Sequence, residues 1–436
     1  MIKNVVETKN DYIGEKHYYF KHKTGLEVYV FPKELTTSYA IFATRYGAID
    51  NKFKLSTDKE FTTVPDGIAH FLEHKLFECE DGSDAFELFA KTGASANAFT
   101  SNTLTAYLFS ATDNFYESLE ILLDFVTHPY FSEETVQKEQ GIIGQELRMY
   151  EDHPGSRLNK ELLKALYKKN KVRIDVGGTI ESIAEINADI LYKCYNTFYN
   201  LNNMTLVVCG NLDVDKVSEI CDKILKVAEP IEIIRDYECE DEPKEVNKKR
   251  AYCQLDVSKP IFAIGVKNND ISTDSRERTK KGYGAEILIE MLFSQSSSFF
   301  NELYDEGLIA SELGYSFDIT KHYSFFSLSS ESKYPEKVYD RFVEYIEKMK
   351  KQGLDKESFD LSKKTILSSC IKSYDSTEEI GESMIFNIFD GFDSLGASEI
   401  INSITLEYVS EILKEGFVED YYTMAVVEPI KAKKKK

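Results

Sequence analysis

The sequence predicts an α+β protein built as two homologous domains, each a mixed or antiparallel sheet packed against helices. Three observations predict this. Short runs rich in β-branched and aromatic residues alternate with stretches of helical periodicity. A charged segment with two prolines and little periodicity, 229–250, divides the chain into 1–228 and 251–436 and reads as a linker. The pattern of the first part returns in the second. A chain of 436 residues with 42% hydrophobic content and 28 Phe has material for more than one core.

Taken in order, Leu26 to Phe31 and Tyr39 to Tyr46 read as strands by composition. The breaker Val64-Pro65-Asp66-Gly67 precedes a helical stretch from Ile68 to Glu78. A second helix is expected from Ser83 to Lys91, followed by a strand or hairpin pattern from Gly93 to Ala111. Helical patterns follow at Phe115 to Thr127 and Glu133 to Tyr150, and Met204 to Cys209 reads as a short buried strand closed by Gly210.

The repeat is visible in particular residues. Ile68 to Phe77 precedes a strand pattern around Tyr107, and Gly284 to Phe293 precedes one around Tyr323, each at a shift of 216 residues. Allowing an insertion, Phe131 to Glu134 resembles Leu354 to Glu357.

Composition narrows the function classes. A formal net charge of −21 repels phosphate backbones, so a nucleic-acid partner is not expected. Seven cysteines, an odd number with no CxxC pair, are poor material for a disulfide framework and fit a reducing compartment. The N-terminal residues lack the basic start and apolar stretch of a secretory signal, and no run approaches the length of a membrane span. A cytoplasmic protein without a membrane partner is the expectation.

The chemistry centres on His70-Phe71-Leu72-Glu73-His74, an HxxEH pattern. Residues four apart share a helix face, and Glu73 falls on the same side. Ile68, Phe71, Leu72 and Leu76 occupy the other, so the helix can bury one side and present two imidazoles with a carboxylate. Two neutral imidazoles are good zinc ligands, and a third protein ligand leaves one position for water. A carboxylate beside that water can take its proton. The bland alternative is a pair of packing histidines. The third ligand is sought on the helix from Glu133 to Tyr150, whose apolar stripe is Val136, Ile143, Leu147 and Tyr150. Glu139 and Glu146, seven apart, flank that stripe on one face, where uncompensated carboxylates are costly. Glu146 reads either as a ligand or as an ordinary surface glutamate.

The stretches PDGIAHFLEHKLFE, SANAFTSNTLTAY and KEQGIIGQELRMYED together resemble the pitrilysin/insulinase family of inverted-zincin peptidases, which includes the mitochondrial processing peptidase. The resemblance covers the first half and, more faintly, the second. It implies a zinc metallopeptidase holding one Zn2+ per chain through His70, His74 and Glu146, with Glu73 as catalytic base. It implies that Glu139 supports activity without binding metal. It also implies that Asn97, Ala98, Phe99 and Thr100 form a strand on which an extended peptide is added to the sheet edge; read without the family, they are an ordinary strand with a core Phe. The second copy carries Glu286, Ile289 and Glu290 where the first has His70, Glu73 and His74, and Ser362 and Ser369 opposite Glu139 and Glu146. That copy therefore lacks the ligand set. One departure stands out. Relatives carry an Arg and a Tyr in the second half, whereas Phe300 to Tyr315 contains no Arg, with Tyr304 and Tyr315 as the candidates for the Tyr. The family implies a homodimer, or a heterodimer with a related subunit that supplies the missing pair, and a non-catalytic or partner-dependent role is the rival reading.

Overall fold

The computed structural model describes residues 5–80, 82–237 and 241–430. The chain forms two compact units, neither contiguous in sequence. The first takes Met1–Leu147, Asp175–Tyr237 and Ile371–Gly396; the second takes Arg148–Ile174, Glu238–Cys370 and Ala397–Lys436.

The first unit is organised by a seven-stranded sheet in the order Val6–Asn10, Glu15–Lys21, Glu27–Pro32, Met204–Gly210, Ser38–Thr44, Thr105–Ala111, Ser95–Thr100. Glu27–Pro32 and Met204–Gly210 run parallel, and every other pair is antiparallel. Ser38–Thr44 is buried almost throughout because both faces of the sheet are covered, the condition under which strands lose polar alternation. Ala40 and Phe42 face a large core shared with the helices Ile68–Leu76, Phe115–Thr127, Ala188–Phe198 and Val214–Ile224. Tyr39, Ile41 and Ala43 face a smaller core closed by the helix Thr377–Asp390 through Ile380, Met384 and Ile385. On that helix Gly381 lies so close to the sheet that a Cβ there would sit 2.5 Å from the Tyr39 ring.

The second unit repeats this plan with five strands: Arg250–Leu255, Tyr422–Pro429, Ile261–Lys267, Ser324–Glu331, Gly314–Ile319. The first pair is parallel and the rest antiparallel, as in the corresponding five strands of the first unit. One face packs on the helices Ser275–Phe293, Pro335–Gln352 and Leu406–Gly416. The other is covered by Pro154–Leu166, through Leu158, Leu162, Ala165 and Leu166.

Each sheet is thus closed by a helix from the opposite half of the sequence. The compact units for this reason do not coincide with the expected halves 1–228 and 251–436. The chain passes between units five times, after Leu147, Ile174, Tyr237, Cys370 and Gly396. The expected linker 229–250 is also more embedded than its composition suggests. Ile233–Arg235 pairs as a strand with Lys52–Leu55. Glu242 accepts hydrogen bonds from the backbone N–H groups of Lys168, Lys169 and Asn170 and from the buried Lys267 ammonium.

The repeat is real in topology, with one adjustment. Phe77 contacts the Tyr107 ring, and Phe293 stacks on Phe326. The equivalent of Tyr107 is therefore Phe326. Tyr323, its expected counterpart, lies with the core on the other face.

Candidate metal centre

The motif helix runs from Ile68 to Leu76. Its N-cap is Gly67 at φ 90°, a left-handed conformation that glycine adopts without strain. A Cβ at Gly67 would lie 2.4 Å from the Gly177 carbonyl oxygen, and one at Gly178 would lie 2.4 Å from that of Asp66, so the 175–178 loop seats directly on the helix start. Asn51 Nδ2 and Ser182 Oγ hold Asp66 in place. Ile68, Ala69, Phe71, Leu72 and Leu76 are buried, as the pattern predicts. Lys75 is buried too, fully, and is ion-paired with Glu78; nothing in the local pattern announces this.

The long helix Glu133–Asp152 supplies the opposing groups. Val136, Ile143 and Leu147 are buried, and the stripe ends there: Tyr150, expected to continue it, is 44% exposed because the chain leaves the unit after Leu147. Glu139 and Glu146 both face the motif helix. Glu146 places one oxygen 3.4 Å from His74 Nε2 and the other 3.9 Å from His70 Nε2. The two imidazole ring centroids are 4.6 Å apart, with the ring planes inclined at 62°. Among the described residues this is the group of His, Cys, Asp or Glu side chains arranged to hold a metal ion, with ligand atoms within 4.8 Å of one another. Tetrahedral zinc with bonds of about 2.0–2.1 Å requires ligand atoms roughly 3.3 Å apart; the 3.4 Å separation from His74 matches this, and the 3.9 Å separation from His70 needs a small side-chain adjustment.

The surroundings fit as well. Burial, assisted by the neighbouring His74 charge, pushes His70 down to about 3, leaving a neutral imidazole with a free lone pair. Its Nδ1 is buried without a protein hydrogen-bond partner. Burial also opposes charge on His74, but the hydrogen bond to Glu139 and the fields of Glu73, Glu139 and Glu146 outweigh it and leave its pKa raised. Glu139 Oε1 lies 3.0 Å from His74 Nδ1, which turns Nε2 toward Glu146. This is the carboxylate–histidine arrangement that orients metal-binding imidazoles. Glu73 sits beside the trio and outside it. Burial raises its pKa, with Thr100 and His74 working in the opposite direction.

Ser95–Thr100 is the terminal strand of its sheet, paired on one side with Thr105–Ala111. Ala98 packs toward the motif-helix core, whereas Phe99 packs on the opposite face and stacks with Phe386. Asn97 is exposed, and its Oδ1 accepts from the Ala98 N–H. Thr100 donates its hydroxyl proton to Glu73 Oε2 at 2.6 Å. Sequence reasoning missed this contact and the 175–178 loop, although the Gly177-Gly178 pair was a visible sign of close backbone approach.

In the second unit Ile289 is buried in the core, burial pushes Glu286 up to about 7, and Glu290 accepts a hydrogen bond from Tyr315 at 2.8 Å. Tyr315, a candidate for the family's tyrosine, therefore has its hydroxyl engaged within its own unit.

Residues 62–180 match the model of the insulinase family, peptidase family M16, and residues 185–366 match that of the peptidase M16 inactive domain. The chain is 40% identical over 425 residues to YmfH of Bacillus subtilis, named an uncharacterized zinc protease, covering 96% of this chain and 97% of that protein. A second uncharacterized zinc protease of that organism, YmxG, is 26% identical over 379 residues, 83% of this chain and 88% of the other. Among solved structures, a protein of Alicyclobacillus acidocaldarius described as M16-like superposes with a TM-score of 0.91 at 31% identity, covering 98% of this chain and 100% of that one.

Proposed function

Because the chain belongs to the insulinase family of zinc proteases, M16, we propose that it is a zinc-dependent peptidase hydrolysing short or unfolded peptides in the cytoplasm. One observation carries this reading: His70 Nε2, His74 Nε2 and the Glu146 carboxylate converge with Glu73 alongside, on the only such trio among the described residues. A zinc ion bound by these three groups would acidify water and polarise the scissile carbonyl.

The protein's own groups do the rest. Glu73 takes a proton from the attacking water and returns it to the departing amine. Its burial, which raises its pKa, suits it to holding that proton briefly. Glu139 keeps the His74 ring turned toward the ligand position. The open edge of Ser95–Thr100 offers unpaired backbone groups to an extended peptide. The net charge of −21 favours cationic peptides over anionic ones.

A partner-dependent reading is favoured by one feature: Phe300 to Tyr315 contains no Arg. A related subunit, or a second copy, would then complete the site. Both readings are tested by measuring the zinc content of the purified chain and its hydrolysis of a quenched fluorescent peptide library, for wild type and Glu73→Gln. One zinc per chain with activity lost in the variant supports a self-sufficient peptidase. Zinc without activity supports the partner-dependent form. A chain that takes up no zinc refutes both.

A further inference from the structure

We infer that Thr100 is a positioning residue, whose hydroxyl ties the Glu73 carboxylate to the edge strand so that the base and a strand-bound peptide share one frame. This rests on the peptidase reading above and adds a role that the strand's expected backbone pairing does not contain. The bond from Thr100 Oγ1 to Glu73 Oε2 is short, 2.6 Å, as expected for a hydroxyl donating to a carboxylate. Among the described residues it is the one hydrogen bond from the protein to the Glu73 carboxylate, and Oε1 is left to the reactants.

The proton count leaves little freedom. Thr105, across the hairpin, lies 3.4 Å from Thr100 Oγ1, but its own hydroxyl donates to the Tyr46 carbonyl at 2.9 Å. A hydroxyl has one proton to give. Thr105 has spent its proton on Tyr46, and Thr100 directs its own to Glu73. The frame behind Thr100 is rigid. Thr100 pairs directly with Thr105 in the ladder, and Ser101 closes the hairpin by bonding the Leu104 carbonyl and accepting from the N–H groups of Thr103 and Leu104. Gly47 packs against this loop so closely that a Cβ there would lie 2.4 Å from the Asn102 carbonyl carbon.

The restraint is needed. A glutamate side chain has three rotatable bonds, and the neighbouring Glu146 charge repels the Glu73 carboxylate. Thr100 opposes that repulsion from the very strand on which the substrate register would be set. A misplacement of about 1 Å at a catalytic group can cost on the order of a hundredfold in rate.

The test compares Thr100→Val, which keeps the shape and removes the hydroxyl, with Thr100→Ser, which restores it. For the zinc-loaded full chain, Val is expected to lower kcat by roughly ten- to a hundredfold with KM and zinc content near wild type, and Ser to recover most of the loss. Wild-type kcat in the Val variant, or a Ser variant as impaired as Val, overturns the assignment. A second measurement needs no activity. In the metal-free chain, Thr100→Val should shift the thermal midpoint when Glu73 is present and leave it nearly unmoved in a Glu73→Met background; additive shifts overturn the contact. If the wild type binds zinc and cleaves nothing, the self-sufficient peptidase reading falls, while this cycle still decides whether Thr100 holds Glu73.

Discussion

His74 is held from both ring nitrogens by carboxylates of one helix, Glu139 on Nδ1 and Glu146 beside Nε2. The two glutamates should separate by experiment. Glu146→Ala removes a ligand and is expected to abolish stoichiometric zinc binding, whereas Glu139→Gln should weaken affinity by about 10–100-fold in competition with a chelator. Because its pKa is raised, metal-free His74 keeps its proton to a higher pH than an ordinary imidazole, and below that value zinc must displace it. Affinity should therefore fall as the pH is lowered through that raised value. Below that value, calorimetry in buffers of different ionisation enthalpy should detect proton release on zinc binding, and no release there would contradict a protonated His74. His70, Glu73 and His74 were legible in the sequence because a single helix fixes their mutual geometry. Glu139, 65 residues from His74, was marked out by its place beside Glu146 and by the family resemblance, though not its contact with His74. The Thr100 partner of Glu73, 27 residues away, was not legible, since only the fold brings those elements together.

At the scale of elements, the strand Ser38–Thr44 and the helices Ile68–Leu76, Phe115–Thr127 and Glu133–Asp152 lie where periodicity and breakers put them. What the pattern could not say is which sheet each amphipathic helix covers. Pro154–Leu166 has an apolar side like any other helix, and nothing local assigns it to the second unit. Its contact is close: a Cβ at Gly265 would lie 2.8 Å from Leu162 Cδ1. Leu162→Ala should cost about 2–5 kcal/mol in denaturant unfolding, the range for a buried leucine. Gly381→Ala, crowding the fully buried Tyr39, should cost about 1–3 kcal/mol through overpacking. Near-neutral values would mean that these two covering helices are loosely held.

At the scale of the whole molecule, the duplicated plan was readable from recurring motifs, and the family's combined stretches pointed to its architecture. The exchange of helices was not readable, because a cut at 229–250 assumes that each half closes its own core. A fragment ending at residue 228 would leave Phe31, Tyr39, Ile41 and Val207 without Thr377–Asp390. It would also carry Pro154–Leu166 without its sheet. Such a fragment is expected to lack a cooperative unfolding transition alone and to gain one when coexpressed with 229–436; a cooperatively folded fragment would remove the structural weight placed on the exchange.

The same connectivity sets a timetable for synthesis. The last strand of the first sheet ends at Gly210, but the helix that seals its second face is complete only at Asp390. At ribosomal speeds of about 5–20 residues per second, those intervening residues take roughly 10–35 s to make. During that interval the nascent first sheet has an uncovered apolar face. The protein is therefore finished in the order its cores are sealed rather than the order its strands are made, and its early half carries an unsealed apolar face until translation is nearly over.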